Sequence, residues 1–238
     1  MNTSALVENY KPGLISKDEL RQQSFEDILI GRFGKYMGMS YSELCDAFML
    51  DESQAKSKYS LIANAILTMG GARGEDVMQS EEFKKSGIRL KTIRIQKSGR
   101  PKEAMSFENI NYSEILNEEE WYESRLYKLF TSRFFFIVFK DYGDGKIENY
   151  RLEKVFFWTM PYQDLKDAEL YWANIKNNVR LNRISTAHFY RESDHKKFHV
   201  RPKAKNSGDM AVNPNGGMCK KFCYWFNHDY IQEIIKGV

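Results

Sequence analysis

Arg89 and Lys91 are the residues whose types and spacing first point to chemistry. They lie two apart in Gly87-Ile88-Arg89-Leu90-Lys91-Thr92-Ile93-Arg94-Ile95, a run that reads as a strand, and residues two apart on a strand share a face. In metal-dependent nucleases such a strand offers an acid and a lysine to one cleft: the acid helps to hold Mg²⁺, and the lysine supports the attacking water or the phosphate. Here the first position is Arg89, whose guanidinium stays protonated and has no lone pair to give a hard cation. Glu81 and Glu82 lie upstream and carry carboxylates, but one side of such a metal site is missing. The plainer reading of the same run is an ordinary strand with two solvated bases.

A second segment, Phe198-His199-Val200-Arg201-Pro202-Lys203-Ala204-Lys205-Asn206, suits recognition. Arginine and lysine donate to guanine O6 and N7 in the major groove, and asparagine pairs with adenine. Pro202 restricts the backbone between Arg201 and Lys203 and helps to aim the two heads. Read without that pattern, the segment is a basic loop that touches phosphates or nothing. From Arg180 to Lys205 eight bases face only Glu192 and Asp194, a local field that attracts polyanions. The overall charge of +4 is a weaker signal than this clustering.

Other candidates carry less. Cys219, Cys223 and His228 are one ligand short of a closed zinc site, so they read as two buried thiols and a surface histidine. Gly70-Gly71-Ala72-Arg73-Gly74 lacks the Lys-Ser or Lys-Thr of a phosphate-binding loop and reads as a helix stop. His188, His195, His199 and His228 show no nucleophile-base spacing and are expected at the surface or near phosphates.

The elements that must position these residues follow from periodicity. Residues 1 to about 20, with Pro12 and Gly13, read as an arm or linker remnant, leaving 21–238 as one domain. Phe25, Ile28, Leu29, Phe33 and Tyr36 recur at helical spacing. Ser40 with Glu43 forms a capping box ahead of a short helix through Phe48, and Tyr59 to Leu67 marks a third helix, stopped by Gly70-Gly71. Strands follow at the Arg89 run, at Phe134 to Lys140 and at Tyr150 to Thr159, the last two joined by a hairpin at Asp141 to Lys146. Phe134 to Phe139 is the longest apolar run and reads as a buried central strand. Leu165 to Asn178 reads as a helix, Phe198 to Arg201 as a strand, and Asn227 caps a final helix through Ile235 that Gly237 closes. Helices, then a mixed sheet, then a helix-terminated tail make an α/β (α+β) domain of nuclease-like architecture.

Composition sets the frame. At 238 residues, 42% hydrophobic and 29% charged, the chain can build a real core. The longest apolar run is far too short to span a bilayer, the opening residues form no secretory leader, and three cysteines make no disulfide framework. A reduced, cytoplasmic protein is the expectation.

Taken in order, Gly87-Ile88-Arg89-Leu90-Lys91-Thr92-Ile93, Ser98-Gly99-Arg100-Pro101 and Arg201-Pro202-Lys203-Ala204-Lys205-Asn206 resemble the MutH family of mismatch-repair nicking endonucleases and related GATC-cutting type II restriction enzymes. The helical stretch Tyr36 to Phe48 resembles the family's early helix, and the likeness runs over roughly residues 24 to 236. Glu81 to Ser86 and Phe226 to Ile231 resemble the C-terminal half of two-domain restriction enzymes in the family, a nuclease-like fold that binds DNA without cutting and assists the active half. The resemblance implies a restriction-endonuclease-like fold. It matches Lys91 to the catalytic lysine, places Arg89 where the family has an acid, and sets Glu82 at the spacing of the upstream aspartate. Ala63-Asn64-Ala65-Ile66 falls where active members carry a further glutamate, and Lys128 answers to a later lysine. Arg201, Pro202 and Lys203 match the base-reading turn, with Lys205 beside it, Asn206 the downstream asparagine and Trp225 an aromatic contact; Arg100 is a further DNA candidate. It thus implies a degenerate site (Glu82, Arg89, Lys91), duplex DNA as partner, a catalytic nuclease domain in the parent chain, and no cofactor needed for binding. The alternative is an active endonuclease using Mg²⁺.

Overall fold

The computed structural model describes residues 14–51, 58–70, 76–143 and 145–238. The N-terminal third is helical: α1 (Lys17–Gln22), α2 (Phe25–Gly34), α3 (Tyr41–Phe48), α4 (Lys58–Leu67) and α5 (Glu81–Ser86). The Ser40–Glu43 capping box forms as expected, each side chain bonding the other's backbone N–H. A second capping box, Ser16 with Glu19, starts α1 inside the stretch read as an arm, and Ile15 just before it is buried. The remainder of that stretch, and the Gly71 to Gly74 part of the glycine-rich turn, lie outside the described residues.

The chain then runs β1 (Ile88–Ile95), β2 (Met105–Asn109), α6 (Tyr112–Asn117), α7 (Arg125–Phe130), β3 (Arg133–Asp141), β4 (Tyr150–Trp158) and α8 (Tyr162–Arg180). It closes with β5 (Phe198–Pro202), β6 (Met210–Val212), β7 (Met218–Lys220), β8 (Phe222–Phe226) and α9 (His228–Lys236). One sheet has the order β1-β3-β4, with β1 parallel and β4 antiparallel to the central β3. A second has the order β2-β8-β5, all antiparallel, and β6-β7 is a separate hairpin. This is a mixed α+β architecture, consistent with the restriction-endonuclease-like fold that the resemblance implies.

Strand β3 has core on both faces, which is why its sequence is a continuous apolar run and does not alternate. Phe135, Ile137 and Phe139 pack under helices α2 to α5, whereas Phe134, Phe136 and Val138 pack against the second sheet with α8 and α9. The β1 register sets Arg89 beside Phe134 and Lys91 beside Phe136, so both cations face the second sheet, with Ile93 and Ile95 on the same side. Ile88 and Leu90 point the other way, into the helical layer. After β1 the chain reverses at Gln96 to Pro101, where Gly99 takes a φ of 80° that a side chain would strain. It then returns as β2, which leaves the first sheet to pair with β8. The divergence of β1 and β2 opens a cleft between the sheets. Among the described residues no helix is long and apolar enough to cross a membrane.

Candidate nucleic-acid interface

The cleft encloses about 430 Å³ and is lined by Lys91 and Arg94 from β1, Glu103, Met105 and Ser106 along the returning segment, and Trp225 from β8. Ser106 is its hinge point. The Lys91 ammonium donates to Ser106 O at 2.8 Å, and the Lys203 ammonium donates to Ser106 Oγ at 2.8 Å and to Phe107 O at 3.3 Å. Lys91 also lies 4.6 Å over the Phe107 ring. Burial lowers the Lys91 ammonium from 10.5 to about 8, and the nearby positive charges of Lys203 and Arg89 push the same way, against opposing contributions from Cys223 and Glu108. Arg89 donates from Nε to Ser132 Oγ at 3.0 Å. The strand therefore does bring positions 89 and 91 to one face, as its alternation predicts.

Carboxylates do not join them. Glu82 accepts from Leu14 N at 2.6 Å, and its neighbour Phe83 is buried in the helical core beneath the opposite face of β1. Glu103 lines the cleft but is paired to Arg94 at 3.0 Å, and Glu108 is paired to Arg125. Among the described residues no three His, Cys, Asp or Glu side chains cluster in a way that could hold a metal ion. Mg²⁺ takes oxygen ligands in near-octahedral array, whereas the side chains that converge here are N–H donors. The donor set does not fit a divalent cation.

The recognition residues divide into groups. Arg201, His199, Trp225 and Ser106 lie across from one another on neighbouring strands, since His199 pairs with Trp225, Arg201 with Cys223, and Ser106 with Trp225. The Arg201 guanidinium stacks 4.8 Å over the Trp225 ring, and the Lys203 ammonium lies 5.8 Å from the same ring. Pro202 ends β5, and Lys203 N then donates to Lys221 O, so the two cations leave the strand in different directions. Arg201 pairs with Glu192 at 3.2 Å, while Lys203, itself exposed, reaches Ser106 at the edge of the cleft. Lys205 and Asn206 belong to the next turn. There Asn206 Oδ1 accepts from Gly208 N at 3.0 Å and Lys205 N donates to Asp209. Arg100 is apart from all of these, 3.5 Å from Asp229 at the start of α9, in a separate hollow shared with Arg191, Glu192, His195 and His228. Lys128, on α7, has its carbonyl taken by Ser132 Oγ.

The basic field of the sequence is also subdivided. Lys197 is held by Asp164 at 2.7 Å and Asp167 at 2.6 Å, and Arg191 by Asp194 at 3.3 Å. His199 corrects the expectation of surface histidines: it is fully buried, stacked on Trp225 at 5.9 Å, with neither ring nitrogen partnered. Burial lowers it to about 4, and Arg201 and His228 act in the same direction against Glu192. Cys223 is buried and Cys219 is half-buried, and His228 pairs with Glu192 at 2.7 Å. Reasoning from sequence passed over Ser106 and Glu192, the residues that anchor the cations. The Ser106 signal was present as the alternation Met105-Ser106-Phe107-Glu108, with Met105 and Phe107 in the core. Glu192 was visible only as a minority charge in a basic window.

Residues 75–169 match the model of the family described as DNA mismatch repair enzyme MutH, a segment that includes β1, β2, β3 and β4. The chain is also 30% identical over 243 residues to the type II restriction enzyme Sau3AI of Staphylococcus aureus. That alignment covers 90% of this chain and 48% of the enzyme, so the chain spans about half the length of this relative.

Proposed function

We propose that this chain, which is related to the MutH family and to a type II restriction enzyme, is a duplex-DNA-binding domain whose nuclease centre is degenerate. In this reading it recognises GATC and acts as the effector half of a type II restriction endonuclease, alongside a catalytic nuclease domain and in a reduced, cytoplasmic setting. The observation that carries the proposal is the identity of the pair on one face of β1. Lys91 lines the cleft with Ser106 and Trp225, Arg89 stands beside it on the same face, and no free carboxylate is found among the described residues lining the cleft. The described side chains that converge there are N–H donors and not oxygen ligands for Mg²⁺, so in this reading binding is independent of metal. Arg201 stacked on Trp225 supplies a planar guanidinium at the rim, the geometry suited to a guanine edge.

The test is a titration against a short GATC duplex and a scrambled duplex, at one salt concentration and without metal. Preference for GATC is expected. Arg201→Ala should lose about 1–3 kcal/mol of that preference, the value of one bidentate base contact. Equal weakening on both duplexes would reduce Arg201 to a phosphate contact. Lys91 in the cleft favours a second reading, an active Mg²⁺-dependent endonuclease, and both comparisons are with proteins described as enzymes. Nicking of supercoiled plasmid with Mg²⁺ or Mn²⁺ that disappears in Lys91→Ala would establish it and overturn the first.

A further inference from the structure

Two ammonium groups meet at one residue in the cleft, and among the described residues the carboxylates near them are already paired with arginines. Lys91 holds Ser106 O and Lys203 holds Ser106 Oγ, each at 2.8 Å. Arg89 stands one step along the same face of β1. The carboxylate lining the cleft, Glu103, is taken by Arg94, and the nearby Glu108 by Arg125. Like charges brought together in a partly dehydrated site repel one another. A bound anion would offset that repulsion. Each ammonium has three donors; Lys91 uses one on Ser106 and Lys203 uses two, on Ser106 and Phe107. Among the described residues three N–H groups therefore remain without a partner, beside a cleft of about 430 Å³.

We infer that this cleft is an anion site: Lys91 and Lys203, anchored on Ser106 and backed by Arg89, form a metal-independent clamp for one phosphodiester group of bound nucleic acid. The place where a hydrolytic centre would gather oxygen ligands around a cation gathers N–H donors around an anion. Lys203 consequently grips backbone at the edge of the cleft and leaves base reading to Arg201. The inference depends on the DNA-binding reading only for the natural source of the phosphate. Lys91 faces Lys203, Arg89, Cys223 and Glu108, so an anion that settles there draws a proton onto its partly deprotonated amine.

The experiment has two arms. In the first, the protein is titrated calorimetrically with inorganic phosphate near pH 8 without metal, in two buffers of different ionisation heat. Saturable binding is expected, with uptake of about half a proton because Lys91 is about half charged at that pH. Lys91→Met should abolish the proton uptake. Lys91→Met and Lys203→Met should each weaken phosphate by at least about tenfold, and Lys166→Met, on the exposed face of α8, should change nothing. In the second arm the salt dependence of GATC duplex binding is measured, and each cleft variant should lower the log–log slope by about one. Absence of saturable phosphate binding, or binding indifferent to Lys91 and Lys203, overturns the anion site. Phosphate bound with the duplex slope unchanged overturns its assignment to DNA. A duplex preference without phosphate binding leaves the DNA-binding reading standing and removes the clamp. If no variant binds duplex, that reading falls, while the phosphate arm still decides the site.

Discussion

Replacing Lys91 by Met should stabilise the protein at neutral pH, although it removes a hydrogen bond. The ammonium is lowered from 10.5 to about 8 in the folded chain, so at pH 7 folding carries a penalty for keeping the group charged. At 1.36 kcal/mol per pH unit the penalty is about 3 kcal/mol. Methionine preserves the length and the contact with Phe107 and carries no charge. Loss of the bond to Ser106 O returns about 1 kcal/mol, leaving a net gain of about 2 kcal/mol at pH 7. The pH dependence gives the argument its sign. Between about 8 and 10.5 the unfolded chain binds the proton more tightly than the folded one, so the wild type gains stability as pH rises through that window. By pH 10 less than about 1 kcal/mol of the penalty remains, and the variant's advantage disappears. Urea unfolding of both proteins at pH 7 and pH 10 measures the two differences, and titrations common to both chains cancel. A variant less stable than wild type at pH 7, or an advantage equal at the two pH values, would refute the idea that the cleft holds an uncompensated charge.

Three further outcomes follow from the same geometry. His199 is buried without partners and lowered from 6.5 to about 4, so wild-type stability should fall as pH drops through that interval; His199→Phe should be more stable by about 2 kcal/mol at pH 5, seen as a lower acid-unfolding midpoint. An unchanged midpoint would mean that the ring is already solvated. Asn227 caps α9 and donates to the carbonyls of Glu192 and Lys196; Asn227→Ala should cost about 2–3 kcal/mol and accelerate amide exchange near residues 192–196, and a null result in both would show that the loop is held elsewhere. Mg²⁺ added at constant ionic strength should leave duplex affinity unchanged within error, whereas marked tightening would reveal carboxylates that reach the bound state.

Much of this architecture was legible because local signals and tertiary packing agree. The Ser40 box, the Asn227 cap and the unbroken apolar β3 each state one physical demand, and the fold meets all three. The shared face of Arg89 and Lys91 also followed from the strand period alone. Among the elements of five or six residues, β5 carries a readable strand signal, whereas β2, α1, α6 and α7 do not. The alternation in β2 covers too few positions to stand out, and α1, α6 and α7 are single short turns whose stability comes from packing or caps. Long-range pairing was not readable at all. Nothing near Lys203 in sequence announces Ser106, 97 residues away, and nothing about His199 says that a loop and a tryptophan will enclose it. The sequence carried the types of the charged residues; the fold decided which would be neutralised, which buried and which left to meet a ligand.

The bond from Leu14 N to Glu82 has a consequence for any attempt to assign Glu82 a role by mutation. Glu82 takes the Leu14 N–H while Arg32 takes the Leu14 carbonyl, so a single residue is clasped through both of its backbone polar groups. Truncating Glu82 therefore removes a carboxylate and unfastens that segment from the helical layer in one step. A defect in such a variant speaks about chemistry only once the seating of Leu14 has been measured beside it.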